Sequence, residues 1–223
     1  MNPVLAAEPE NESYTFGEEL AHALTHGLGA VLSIAGLTVL VARAALYGDT
    51  WHVVSAAIFG ASLVAMYTAS ALFHSIPLAR PKHVLRIVDH CLIYVLIAGT
   101  YTPFTLVTLH GAWGWSLFGF TWGLAAVGAV FKIFFTGRFE ALSLAVYLLM
   151  GWCCVVAIVP LWHALPAGGL AWLVAGGVCY TVGVAFYALG RLRYHHAIWH
   201  VFVLAGSICH YFGILLYVIP GAA

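Results

Sequence analysis

Charge is what this sequence has least of. Of its 223 residues 7% are charged and 63% hydrophobic, whereas a soluble domain carries about 25% charged residues. That balance excludes an ordinary soluble fold and leaves a chain spent on membrane spans of about 20 apolar residues each. Basic and acidic residues number eight apiece, so no net charge invites nucleic acid and no run of like charge forms a tail. Cysteine is scarce too. Cys91, Cys153, Cys154, Cys179 and Cys209 fall inside apolar stretches with no C-x-x-C pair, which reads as free, buried thiols. The opening segment "MNPVLAAEPENESYTFGEE" has neither a basic n-region nor an apolar h-region, so the first span is expected to stay uncleaved.

Divided at charges, prolines and glycine-rich breaks, the chain yields seven apolar segments, near 20–46, 52–76, 86–109, 112–135, 141–161, 169–190 and 197–219. Each is long enough to cross a bilayer as a helix. The expected fold is an all-α bundle of seven transmembrane helices. Residues 1–19 form a short acidic segment and 20–223 a single membrane domain. Short connections make neighbouring helices antiparallel. Arg80, Lys82, Arg86, Lys132, Arg138, Arg191 and Arg193 then fall at one end and only Arg43 at the other. This asymmetry predicts a cytoplasmic N-terminus and an outer C-terminus. Trp51, Trp113, Trp115, Trp162 and Trp172 collect at the opposite, outer ends, as an aromatic belt does.

Two glycine patterns suggest close helix packing: Gly169, Gly176, Gly183 and Gly190 at intervals of seven, and Gly119 with Gly123 as a G-x-x-x-G. Pro103 lacks an amide donor and should kink the third helix, with nearby threonines able to bond the freed carbonyls.

The polar residues within this apolar frame are few. In "HHAIWHVFVLAGSICH", His196 and His200 are four apart, which puts them on one helix face with Cβ atoms about 5–6 Å apart, as two ligands of one metal require. His195 points about 100° away and is expected at the interface on the basic side. His210 lies about 21 Å further along the axis and is expected to be a hydrogen-bonding core residue. Ser70 and His74 share a face at the end of the second helix, and Asp89 lies near the start of the third. All five reach one membrane depth, where an unpartnered carboxylate is costly. Four of them have a plain alternative: Asp89 can pair with Arg86 or Lys82, Ser70 can bond the carbonyl four residues back, and His196 and His200 can be solvated interfacial rings. A shared cation accounts for all five together. His74, His196 and His200 offer three imidazoles with a fourth position open, a donor set that favours zinc. Asp89 would orient or deprotonate water and Ser70 would hydrogen-bond an oxyanion, which suits amide or ester hydrolysis.

"EELAHALTHGLG" at 18–29, "SALFH" at 70–74, "VDHCLIYVLIAGTYTPF" at 88–104 and "HAIWHVFVLAGSICHYFG" at 196–213 together resemble the hemolysin III branch of the progestin and adipoQ receptor family. The resemblance spans essentially the whole chain. It implies a seven-helix fold with a zinc site near the cytoplasmic face, ligands at His74, His196 and His200, and Ser70 and Asp89 beside the metal. Related alkaline ceramidases imply hydrolysis of a lipid amide; bacterial members have been called hemolysins and membrane-homeostasis proteins. One departure is that His22 stands where the family's first motif usually has asparagine. His22 and His26 form another i, i+4 pair, available as outer contacts or as an alternative ligand.

The leading expectation is therefore a zinc-dependent hydrolase of lipid amides or esters in a bacterial inner membrane, with membrane lipids as partners. The alternatives are a sensor of membrane state with structural zinc, a cytolysin, and a b-type haem protein with His74 and His200 as axial ligands.

Overall fold

The computed structural model describes residues 14–221, so most of the acidic N-terminal segment lies outside the described residues. Helix α1 spans Phe16–Tyr47 and begins four residues before the apolar pattern does. The reason is a capping box: Thr15 Oγ1 accepts from the Glu18 amide, and the Glu18 carboxylate accepts from the Thr15 amide at 2.9 Å. Glu18 and Glu19 thus sit in the first turn, where the helix dipole favours acids.

Helix α2 (Thr50–Ser75) is capped by Asp49, which accepts from the amides of Trp51 and His52. Helix α3 spans Ala79–Pro103. It starts seven residues before the apolar run, so Arg80, Lys82 and Arg86 ride on its first turns rather than in a loop. At Pro103 the ladder loosens into a π-helical turn, Phe104–Leu109. Proline there can neither donate nor fit against the preceding turn, and the hydroxyls of Thr100, Thr102 and Thr105 bond the carbonyls of Leu96, Ala98 and Tyr101. Helix α4 is Gly111–Phe135. The fifth span is broken into α5 (Glu140–Trp152), a 3₁₀ turn (Cys153–Ala157) and α6 (Ile158–Ala164), just where Pro160 removes a donor. Helices α7 (Ala167–Ala188) and α8 (His195–Tyr217) complete seven apolar spans among the described residues.

Every connection is six residues or shorter, so successive spans run antiparallel. Helix α1 packs between α2 and α8, with α3 beyond α2 and α7 beyond α8. Tyr67 of α2 ties the layers, donating to Ser207 Oγ of α8 at 2.7 Å, while Tyr180 of α7 meets the same hydroxyl at 2.9 Å. The spacing of seven along α7 is structural for three glycines. Gly169, Gly176 and Gly183 are buried against Tyr217, His210 and Trp199, respectively. Gly190 lies past the end of α7. Gly119 and Gly123 face open space, so the G-x-x-x-G of α4 does not bring a neighbouring helix close. The five cysteines are free, but each is half-buried rather than buried.

Candidate metal centre

The N-terminal turns of α1 and α8, the C-terminal turns of α2 and the N-terminal half of α3 meet at one end of the bundle. This is the end that carries seven of the eight basic residues. His74, His196 and His200 converge there. Their ligand nitrogens all lie within 4.8 Å of one another, and all three residues are buried.

Hydrogen bonding sets which nitrogen each ring can offer. His74 Nδ1 lies 2.6 Å from Glu19 Oε2. A carboxylate only accepts, so this nitrogen carries the proton and donates, leaving the lone pair on Nε2, which is buried without a partner. His200 Nδ1 lies 3.2 Å from Thr25 Oγ1 and 3.3 Å from the His22 carbonyl. The Thr25 hydroxyl already donates to the carbonyls of Ala21 and His22, so His200 Nδ1 is the donor and Nε2 again keeps the lone pair. His196 Nδ1 is engaged by the Tyr14 hydroxyl at 3.1 Å, which leaves Nε2 inward. Three neutral imidazoles, each held from outside through Nδ1, form the arrangement that metal-binding histidines adopt. A buried lone pair without a partner costs about 1–3 kcal/mol, and a cation relieves that cost at His74. The donor set therefore fits zinc or a similar borderline transition metal.

The outer contacts come chiefly from α1, the helix whose His22 and His26 were expected to be available for them. Glu19 bridges two neighbours, with Oε2 on His74 and Oε1 on Lys82 Nζ at 2.6 Å. Lys82 is thus taken, and the alternative pairing of Asp89 with Lys82 or Arg86 is absent among the described residues. His26 stacks flat on His200, with ring centres 3.5 Å apart and planes 6° apart, and its Nδ1 lies 2.8 Å from Ser70 Oγ. The alternative bond from Ser70 to its own helix carbonyl does not form; the hydroxyl is engaged by His26 instead.

Asp89 and Ser70 stand beside the three histidines rather than among them. Both line a cavity of about 180 Å³ that reaches His196 and His200 at one end and His210 at the other. Between these ends its wall is mainly apolar, with Leu96, Leu144, Leu173 and Val203 among the lining residues. His210 is buried and its Nε2 lies 3.2 Å from the Leu173 carbonyl, in keeping with a core hydrogen-bonding role. His195 departs from its expected interfacial place. It is buried, with Nδ1 3.2 Å from the Tyr187 carbonyl, because the left-handed Tyr194 turns the chain inward as α8 begins.

Sequence reading missed Glu19, Thr25 and Tyr14. A signal existed for Glu19: in "EELAHALTH" it precedes His22 by three and His26 by seven, and so shares their face. Tyr14 and Thr25 reach His196 and His200 across 182 and 175 residues, and no local spacing reports that.

Seven apolar spans with a buried polar cluster at one end define an integral membrane protein with a candidate metal centre. The model of the haemolysin-III related family matches residues 14–211, and the chain belongs to that family. It is 49% identical to the hemolysin-3 homolog of Bacillus subtilis (strain 168) over 92% of this chain and 96% of that protein. It is 46% identical to hemolysin-3 of Bacillus cereus over 92% of this chain and 94% of that one. The human monocyte to macrophage differentiation factor is 31% identical over 94% and 89%. No solved structure matches the chain.

Proposed function

We propose that this protein is a zinc-dependent hydrolase of lipid amide or ester bonds, of the ceramide type, acting within a bacterial inner membrane. The observation that carries the reading is a juxtaposition. His196 and His200, which converge with His74, abut a largely apolar cavity whose wall also holds the Asp89 carboxylate and the Ser70 hydroxyl. His74, His196 and His200 would hold the zinc, which when bound supplies a Lewis acid that polarises a carbonyl and acidifies water.

The chain's own groups supply the rest. The apolar wall takes up an acyl chain and positions its carbonyl carbon toward the histidines. Asp89 accepts the proton of the attacking water and returns it to the leaving amine or alcohol. Ser70, whose Oγ lies 2.8 Å from His26 Nδ1 and lines the same cavity as Asp89, hydrogen-bonds the developing oxyanion. With seven of eight basic residues at the metal end, that end faces the cytoplasm.

Metal analysis of the purified protein, followed by fatty-acid release from a panel of lipid amides and esters, tests the proposal. One zinc per chain, its loss in His200→Ala, and release abolished in Asp89→Asn with zinc retained are expected. A zinc-loaded protein that leaves the whole panel intact sinks the enzymatic part.

A second reading is a sensor of membrane state with structural zinc, favoured by the way the cluster clasps α1, α2 and α8 together through Glu19, His74, Thr25 and His200. It predicts that Asp89→Asn leaves cellular function intact. The relatives named hemolysin-3 suggest lysis as a third outcome, which a dye-leak assay in liposomes at low protein density would register whether or not His200 is present.

A further inference from the structure

His22 is the one histidine of the cluster that nothing above employs. It is 0% exposed, and neither ring nitrogen has a hydrogen-bond partner; Glu19 Oε2 stands 3.8 Å from Nδ1, beyond bonding distance. The rings of His74, His196 and His200 are each held from outside, whereas His22 has its backbone carbonyl in use and its side chain unclaimed. A ring with an unsatisfied acceptor and an unsatisfied donor, sealed from water, points to a missing partner.

The ring centres give the partner's place. His22 lies 4.6 Å from His74, 4.7 Å from His196 and 5.4 Å from His200. The other three pairs are separated by 5.2, 5.2 and 4.6 Å. All six edges are nearly equal, so the four rings stand at the corners of a tetrahedron. Four imidazoles bonded through nitrogen to one tetrahedral zinc have ring centres roughly 5 Å apart. The nitrogens of His22 group more tightly with Glu19 and His74 than with the other two histidines, which sets this ring at the margin of the cluster.

We propose that His22 is a fourth protein ligand of the centre, at the margin and exchangeable, so that the resting site is closed by four histidines and opens when His22 gives way. The proposal rests on the zinc reading above, and it turns the fourth position from permanently open to gated. In this position His22 also packs edge-on against Tyr14, at 4.7 Å between ring centres.

X-ray absorption on the full-length, zinc-loaded wild-type protein counts the imidazoles without any substitution: four are expected. In parallel, cobalt-loaded wild type and His22→Asn are titrated with azide and followed by the visible ligand-field bands. The variant should respond to azide at concentrations that leave the wild type unchanged, and its zinc affinity should fall by at least about tenfold. Three imidazoles plus a light oxygen ligand in the wild type, or equal azide responses, overturn the proposal while leaving the three-histidine zinc site in place. Two zinc ions per chain overturn it by assigning His22 to a separate position with Glu19. A folded wild type that takes up no zinc overturns both this proposal and the reading beneath it.

Discussion

The imidazoles of His74 and His200 are defined by what their outer nitrogens touch, and that makes Glu19 as informative as any ligand. Its carboxylate sets the tautomer of His74 and is itself pinned by Lys82. Replacing Glu19 by Gln removes the charge while keeping the shape, and an amide can present its NH₂ to His74 Nδ1 and so favour the wrong tautomer. Zinc affinity should fall by about 10–100-fold, the range found for groups that orient a ligand. Competition with a fluorescent chelator measures it, and an unchanged affinity would mean that the Glu19 contact does not act on the metal. The convergence of His74, His196 and His200 was legible in sequence because helical spacing pairs His196 with His200 and because burial of so many polar groups needs one cause. Of the outer contacts the reading anticipated His26 but not Glu19, Thr25 or Tyr14, since these depend on how α1 lies between α2 and α8, a tertiary fact that spacing along one helix cannot carry.

At the scale of elements, the seven spans follow from apolar length, and the structure shifts their bounds by only a few residues. The exceptions have local causes: Thr15 and Glu18 start α1 early, and Pro103 and Pro160 loosen the third and fifth spans. Glycine patterns were less legible, because a motif fixes which residues share a face but not what that face meets. A Cβ at Gly183 would come within 2.7 Å of Trp199, whereas one at Gly123 meets nothing. Gly183→Ala should therefore destabilise by about 1–3 kcal/mol through overpacking. Gly123→Ala should be neutral or stabilise by up to about 1 kcal/mol through helix propensity. Thermal melts in detergent would compare the two, and equal costs would refute the packing asymmetry. The cap of α2 adds a pH dependence. The His52 side chain and the amides of His52 and Trp51 hold the Asp49 carboxyl below its usual value. A depressed folded pKa contributes stability that is complete above the unfolded value, near about 3.9, and is lost as pH falls through the folded value. Asp49→Asn should flatten that acid limb of the melting profile; an unchanged limb would assign it to other carboxylates.

Across the whole molecule the metal end and the opposite end do different work. The opposite end is closed by short turns and by Arg43, whose Nε donates to the Pro220 carbonyl and ties α1 to the C-terminal residues. At the metal end the Tyr194 amide donates to Glu18 Oε1 at 3.3 Å, and what otherwise joins α1, α2 and α8 there is the histidine cluster and its outer hydrogen bonds. A metal bound at that point stabilises the folded bundle by its binding free energy, about 4 kcal/mol when free zinc is a thousand times its dissociation constant. In a chain of this length that corresponds to roughly 10 °C in melting temperature. Zinc-loaded wild type should lose this increment when a chelator is added, and His200→Ala should melt at the chelated value with or without zinc. Hydrogen exchange should then place the loosening in the first turns of α1 and α8 and the last turn of α2, leaving the Arg43 end protected. Melting temperatures that ignore the chelator would mean that the cluster is held by its hydrogen bonds alone, and the role of zinc as the clasp of this end would have to be abandoned.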